Sequence, residues 1–277
     1  MKTIISSAAI QRQALRWQRE GVQVVLVPTM GALHAGHMSL IRLARKIASI
    51  NGIVVVSIYV NPPQFDNVAD LRKYPRKLAV DKRACKIDGV DVVFAPKNLY
   101  ARGTSVFVDE DALTNEFEGR CRPGHFSGVM TVVAKLFNLV QPGHAVFGEK
   151  DFQQTAVLQR MVRDLNMPVK IDVGPTMREA DGLALSSRNI QLKGSLRQQA
   201  AVLWQAICVA RAAGNIGADH LKRRLKRLIE NQPDVSVDYV EFIEAVSFRP
   251  VKRVTRGVRL LLAANVGGVR LIDNAKL

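Results

Sequence analysis

The chain has 277 residues, enough for one large or two modest domains with a real hydrophobic core. A hydrophobic share of 48%, a mean hydropathy of +0.03 and no uncharged apolar stretch long enough to cross a bilayer exclude an integral membrane protein and predict a soluble globular one. The formal net charge of +16 raises nucleic acid as a partner, yet no aromatic platform or nucleic-acid motif accompanies the densest basic run, Leu221 to Leu228.

That run reads as an amphipathic helix whose Leu221, Leu225 and Leu228 face a core while its cations face water. Its field suits a small anionic substrate, and no nucleic-acid or membrane partner is expected. The apolar part of Met1 to Ser7 is too short for a signal peptide. Cys85, Cys121 and Cys208 are too scattered for a disulfide framework, so free thiols in a reducing cytoplasm are expected.

In chain order, Val22 to Val27 reads as a buried parallel strand and Met38 to Ile50 as a helix, with Leu40, Ile41, Leu43, Ala44 and Ile47 at helical spacing. Ile53 to Val60 and Val90 to Phe94 are further strands without polar alternation, separated by a helix over Leu71 to Ile87. An apolar helix over Val129 to Val140, a short strand over Ala145 to Phe147, a helix over Phe152 to Leu165 and a strand over Val169 to Val173 continue the alternation. The pattern predicts an α/β fold, a doubly wound parallel sheet with helices on both faces. Gly174-Pro175 breaks it. Beyond lie helices over Leu196 to Ala213 and Ala218 to Ile229, and strands over Val237 to Ala245 and Val258 to Val266. These predict two domains: residues 1–175, and a smaller α+β domain over 176–277.

Between the first strand and its helix stands Pro28-Thr29-Met30-Gly31-Ala32-Leu33-His34-Ala35-Gly36-His37. A helix starting near Gly36 offers unpaired N–H groups and a partial positive charge, which suit a phosphate. His34 and His37, three apart, can both face it. Imidazoles hydrogen-bond phosphate oxygens and, when protonated, neutralise charge building at an α-phosphorus under attack. A lone His-x-x-His is also the spacing of structural and metal-binding histidines, but no nearby Cys or third His completes a zinc set. Gly31 and Gly36 permit tight turning and close approach to a ligand. The segment points to nucleotidyl transfer.

Five more motifs follow in order: Ser57 to Phe65, Tyr74 to Arg76, Arg122 to Phe126, Phe147 to Gln154, and Arg178 to Asn189. Together with Pro28 to His37 they resemble the pantothenate synthetase family, ligases of pantoate and β-alanine within the HxGH-type nucleotidyltransferases. The resemblance runs on to Arg270 to Asn274 and implies a Rossmann-like fold. It also implies a homodimer, ATP, pantoate and β-alanine as ligands, and Mg²⁺ accompanying the ATP. The implied reaction first makes pantoyl adenylate and pyrophosphate. The β-alanine amine then attacks the acyl carbon, giving pantothenate and AMP.

The same resemblance distributes roles. Met30, Gly31, Ala32, Leu33, His34, Ala35, Gly36 and His37 line the nucleotide site, with His37 in the position of a proton donor. Gly148, Glu149, Lys150 and Asp151 form a second nucleotide segment, Lys150 bringing charge to the phosphates and Asp151 facing ribose. Ser186, Ser187 and Arg188 resemble a second phosphate loop that holds pyrophosphate as it leaves, and the smaller domain is expected to close over the site. Gln64 and Gln154 read pantoate hydroxyls as amides that do not trap its carboxylate in an ion pair, while Asn61 and Phe65 flank that pocket. Tyr74, Arg76 and Arg122 are left as structural. The chain departs from the family's usual residues at Met177, Leu185 and Gly143, positions that bear on packing and adenine affinity. The rival readings are another HxGH-type adenylyltransferase, which needs neither Asn61 to Phe65 nor Gln154, and a basic nucleic-acid-binding protein, which leaves the phosphate motifs unexplained.

Overall fold

A computed structural model describes all residues, 1–277. It divides into two compact units, one of Met1–Glu149 and Gln153–Pro175, the other of Lys150–Phe152 and Thr176–Leu277.

The first unit is built on six parallel strands: β1 (Lys2–Ile4), β2 (Val24–Thr29), β3 (Ile53–Ile58), β4 (Val92–Phe94), β5 (His144–Gly148) and β6 (Lys170–Gly174). Their order across the sheet is β1-β4-β3-β2-β5-β6. The chain proceeds from β2 through β3 to β4 in one direction, then returns to place β5 on the other side of β2. The crevice beyond the carboxyl ends of β2 and β5 is therefore the switch point at which open α/β sheets take ligands.

Alternate residues of the central strands serve opposite faces. Val25, Val27, Val54 and Val56 pack with Ile41, Ala44 and Ala48 of helix α2 (Ala35–Ala48) and with Cys85. The intervening Leu26 and Val55 are equally buried, on the side where helix α6 (His125–Val140) meets β2 and helix α1 (Ser7–Arg19). Each fully buried Val or Leu contributes about 1.5–3 kcal/mol, so a polar residue in β2 or β3 would be costly.

The doubly wound sheet is as the hydrophobic pattern predicted, with differences that have local causes. The expected helix over Leu71 to Ile87 is two, α3 (Val68–Lys73) and α4 (Leu78–Ile87). Pro75 lacks an N–H and drives Tyr74 to an extended ψ of 126°. A one-turn helix α5 (Glu118–Cys121) precedes α6, and α7 (Phe152–Asp164) joins β5 to β6. Strand β1 and helix α1 were not expected: a three-residue edge strand carries too little pattern, and α1 buries only Ile10, Ala14 and Trp17.

The second unit contains helices α8 (Ser195–Ala200), α9 (Val202–Ala212) and α10 (Ala218–Glu230). Strands β8 (Val235–Ile243), β10 (Arg259–Val266) and β11 (Val269–Lys276) form an antiparallel sheet in the order β11-β10-β8, and β7 (Ile216–Gly217) pairs with β9 (Arg253–Val254). This is the smaller α+β arrangement the pattern predicted. Strand β11 was not expected, although the Gly267-Gly268 turn, with φ of +55° and +85°, is a hairpin signal. The core joins Leu203 and Ile207 of α9 to Leu221, Leu225 and Ile229 of α10 and to Phe242, Leu260 and Leu262 of the sheet. Ile229, rather than Leu228, completes the buried stripe of α10. Arg223, Arg224, Lys226 and Arg227 lie on its exposed face. No helix is long and apolar enough to cross a membrane.

Candidate active site

The loop leaving β2 is held from three sides. Thr29 Oγ1 donates to the Ser57 carbonyl at 2.8 Å and accepts from the Gly31 N–H at 3.2 Å. Gly31 has a φ of +84°, and a Cβ there would stand 3.0 Å from Asp81 Oδ2 and from an Ile58 methyl, so only glycine fits. Ala32 follows at φ +52°, a left-handed conformation that costs an alanine about 1–2 kcal/mol. Asp81, 2% exposed on α4, holds it there: its carboxylate oxygens accept the N–H groups of Ala32 at 3.0 Å and Leu33 at 2.9 Å. Sequence reasoning missed Asp81, because an acid in the first turn of a helix is ordinary.

His34 is the N-cap of α2, and the two histidines cap it reciprocally. His34 Nδ1 accepts the Gly36 N–H at 3.2 Å, and His37 Nδ1 accepts the His34 N–H at 3.3 Å. Imidazoles thus take the parts usually played by Ser and Glu in a capping box. The bonds assign the tautomer: an Nδ1 that accepts leaves the ring proton on Nε2. Both rings, with centroids 4.1 Å apart, therefore have Nε2–H donors. Helix α2 begins at Ala35, earlier than its apolar periodicity suggested, because these side chains replace the missing backbone partners.

The segment after β3 is a 3-10 turn over Pro62–Gln64. Helix α6 presses Gly128 against it so closely that a Cβ would meet the Gln64 nitrogen and the Pro63 carbonyl at 2.6 Å. The backbone carbonyl of Gln64 accepts from His125 Nδ1 at 2.8 Å and from Arg122 at 3.2 Å. Arg122 also donates to Asp66 through two nitrogens, each at 3.2 Å. Burial raises the pKa of Asp66, but the charge and hydrogen bonds of Arg122 outweigh it and hold the carboxyl below its usual range. Arg122 and His125 thus pin the turn. Phe65 lies half-buried with its ring edge-on to Tyr74 at 5.7 Å.

Asn61 differs from the expectation that it flanks the pocket. It is 1% exposed, and its side chain bonds to Gly128, Gln64 and Tyr100, all within the protein. The half-buried Gln64 side chain lies beside Met30, with Nε2 3.1 Å from the sulfur.

At the start of α7, two adjacent glutamines have different fates. The amide of Gln153 donates to the carbonyls of Leu113 and Glu116 and accepts from the N–H of Glu118, all within 3.0 Å. Gln154 takes no part in these bonds and is half-buried. Gly148 ends β5, and Glu149 begins the turn that follows.

In the second unit, the Lys150 carbonyl accepts from Asn274 Nδ2 at 2.9 Å, and Phe152 stacks on Phe248 beneath the Arg259 guanidinium. Lys150 Nζ lies 3.6 Å from Asp151 Oδ1. The segment from Met177 to Arg188 folds back on itself, with the Leu185 N–H bonded to the Met177 carbonyl. Arg178 anchors it through a bidentate pair with the buried Asp273 at 2.6 and 2.9 Å and by lying 4.2 Å over Trp204. Gly182, φ +88°, is obligatory, since a Cβ would overlap Trp204 at 1.9 Å. Arg197 grips Glu179 and Asp181, and its hydrogen bonds hold both carboxyls below their usual pKa values. Ser186 Oγ caps the 3-10 turn Ser187–Gln191 by accepting the Arg188 N–H at 3.2 Å, leaving its own O–H to donate.

The expected site residues are thus divided. Met30 to His37, Asn61, Gln64, Phe65, Gly148, Glu149 and Gln154 belong to the first unit, and Lys150, Asp151, Met177, Leu185, Ser186, Ser187 and Arg188 to the second. The first unit offers N–H groups and imidazoles, the second hydroxyls, an ammonium and a guanidinium; each set suits an anion, and no three His, Cys, Asp or Glu side chains are grouped to hold a metal ion.

Comparison with known proteins agrees with that chemistry. The model of the family described as Pantoate-beta-alanine ligase matches residues 2–276. The pantothenate synthetase of Akkermansia muciniphila is 46% identical over 281 residues, covering 100% of both chains. That of Aquifex aeolicus is 46% identical over 264 residues, covering 93% of this chain and 92% of the relative. The crystal structure of the Thermus thermophilus pantothenate synthetase superposes with a TM-score of 0.89 at 40% identity, covering 100% of this chain and 99% of the other. A Francisella tularensis pantoate-beta-alanine ligase, crystallised with beta-gamma ATP and β-alanine, gives 0.82 at 32% identity, covering 100% and 97%.

Proposed function

The chain belongs to the pantoate-beta-alanine ligase family, and on that premise we propose that it joins pantoate to β-alanine at the expense of ATP, through pantoyl adenylate. A pantoate carboxylate oxygen attacks the α-phosphorus, the bond to the bridging oxygen of the β-phosphate breaks, and pyrophosphate leaves. The β-alanine amine then attacks the acyl carbon. The bond from that carbon to the phosphate oxygen breaks, AMP leaves with the electron pair, and the amine gives up a proton. Adenylation is needed because a free carboxylate resists an amine.

The observation that carries this reading is the reciprocal histidine cap at the start of α2, at the sheet's switch point. Two Nε2–H donors and a helix N-terminus favour the phosphates most as negative charge develops on them. His37 offers its Nε2–H as a hydrogen-bond donor to the departing pyrophosphate. Lys150 and Arg188 supply positive charge to the triphosphate, with Ser186 and Ser187 donating hydroxyls. Asp151 accepts from ribose, and Met177 and Leu185 face the adenine. Gln64 and Gln154 read pantoate, and Phe65 meets its gem-dimethyl group. The Francisella relative, complexed with beta-gamma ATP and β-alanine, supports this choice of ligands.

Mg²⁺ would accompany ATP on its phosphates, and would supply charge neutralisation for the leaving pyrophosphate beside Lys150 and Arg188. The setting we infer is a cytoplasmic homodimer, which the three free cysteines and the family resemblance support. The test is AMP release with ATP and Mg²⁺, omitting pantoate and β-alanine in turn. Pyrophosphate exchange into ATP should require pantoate alone, and sustained AMP release both acids. Exchange without pantoate would overturn the assignment.

A further inference from the structure

Asn61 is too thoroughly engaged to bind substrate, and its bonds have a direction. The Gly128 carbonyl can only accept, so the Asn61 atom 3.0 Å from it is Nδ2. The other end of the amide, Oδ1, then faces the Tyr100 hydroxyl at 2.8 Å, which must donate. The second N–H of Asn61 meets the Gln64 amide at 3.1 Å, and that atom must accept, so it is Oε1. Gln64 is left with Nε2 turned to the side of Met30. A carbonyl of α6 thus dictates, through one buried amide, which end the Gln64 amide offers.

We propose that Tyr100, acting through Asn61, is a positioning residue that holds the Gln64 amide nitrogen toward pantoate, so that this glutamine reads a substrate oxygen as a donor. The inference rests on the reading of Gln64 as a pantoate ligand. Tyr100 is itself fixed: its N–H bonds to Asn98 Oδ1 at 3.0 Å, and the Lys135 ammonium lies 5.3 Å from its ring centre. Burial, with a smaller contribution from Tyr59, pushes its phenol up to about 12 despite the bond to Asn61, so the hydroxyl keeps the proton it must donate. Without that hydroxyl, Asn61 Oδ1 is buried without this donor, and the amide is held at one end only. A flipped Asn61 would set its oxygen against the Gly128 carbonyl, so the loss appears as disorder of the relay rather than a clean alternative.

The experiment is a double-mutant cycle of Tyr100→Phe and Gln64→Ala, read as pantoate-dependent exchange of pyrophosphate into ATP, with ATP affinity and thermal midpoint measured alongside. Tyr100→Phe should lower kcat/KM for pantoate about tenfold while ATP affinity stays within about twofold. In the Gln64→Ala background it should change exchange by less than about twofold, because its route to substrate is already gone. Asn61→Asp, isosteric but unable to donate to Gly128, should lose at least as much pantoate-dependent exchange with ATP binding retained. Full additivity of Tyr100→Phe with Gln64→Ala, or an unchanged pantoate KM in both Tyr100→Phe and Asn61→Asp, overturns the relay. Normal exchange by Gln64→Ala alone overturns the pantoate reading itself, and the relay with it.

Discussion

Replacing Asp81 by Asn probes the nucleotide loop without touching any residue assigned to substrate. Both carboxylate oxygens of Asp81 accept backbone N–H groups, and the residue is 2% exposed, so water has no way in to replace them. An amide keeps one acceptor and turns an N–H against the other donor. Hydrogen bonds to a charged group contribute about 1.5–3 kcal/mol each, and a buried unpaired N–H costs about 1–3 kcal/mol, so a loss of about 2–4 kcal/mol is expected. For a chain of this size that is a fall of about 5–12 °C in the melting midpoint of the first unit. The second effect is on ATP. Ala32 is held at φ +52° against its own preference, and relaxing it regains about 1–2 kcal/mol. The competent loop then falls to roughly a tenth of the population, and the apparent Kd for ATP rises about tenfold. Scanning fluorimetry reads the first number and titration with a non-hydrolysable ATP analogue the second. A midpoint within about 1 °C of the parent together with unchanged affinity would refute the role given to Asp81.

Three further outcomes are expected. His34→Ala and His37→Ala should each slow pantoate-dependent adenylation by about 10² or more with the fold retained, and single-turnover pyrophosphate release checks it. Gln153→Ala should lower the melting midpoint, since three buried hydrogen bonds go. Gln154→Ala should instead leave the midpoint alone and cut pantoate-dependent exchange about tenfold to several hundredfold, and reversal of these phenotypes would exchange the two roles. The Arg197 pairs make the Met177 to Arg188 segment acid-sensitive. Glu179 and Asp181 have folded pKa values below the unfolded ones, so their stabilisation is complete above the ordinary carboxyl range and is lost as pH falls through the lowered values. Arg197→Gln should flatten that acid limb in a pH series of melting curves, and an unchanged slope counts against the pairing.

Much of this protein is written in short stretches of chain. Apolar runs of six residues bounded by turn residues favour buried strands, Gly31 serves a turn at φ +84°, and His34 and His37 reach one helix end because three residues span about one turn. These are properties of neighbours, so periodicity and motif disclose them, and the parallel sheet, the smaller α+β unit and the strand-turn-helix at Pro28 to His37 were legible. What the tertiary structure alone decided lies between residues far apart in the chain. Asp81 reaches back 49 and 48 positions to Ala32 and Leu33, Tyr100 reaches 39 to Asn61, and Gly128 reaches 67 to the same side chain. No local pattern separates a buried carboxylate that clamps a loop from a solvated one that caps a helix. Equally, none distinguishes an exposed asparagine from one buried in bonds to Gln64, Gly128 and Tyr100, or Gln153 from Gln154. The chain specifies which groups can donate and accept, but which of them meet depends on how α4 and α6 pack around the ends of β2 and β3, where burial makes each unpaired polar atom costly.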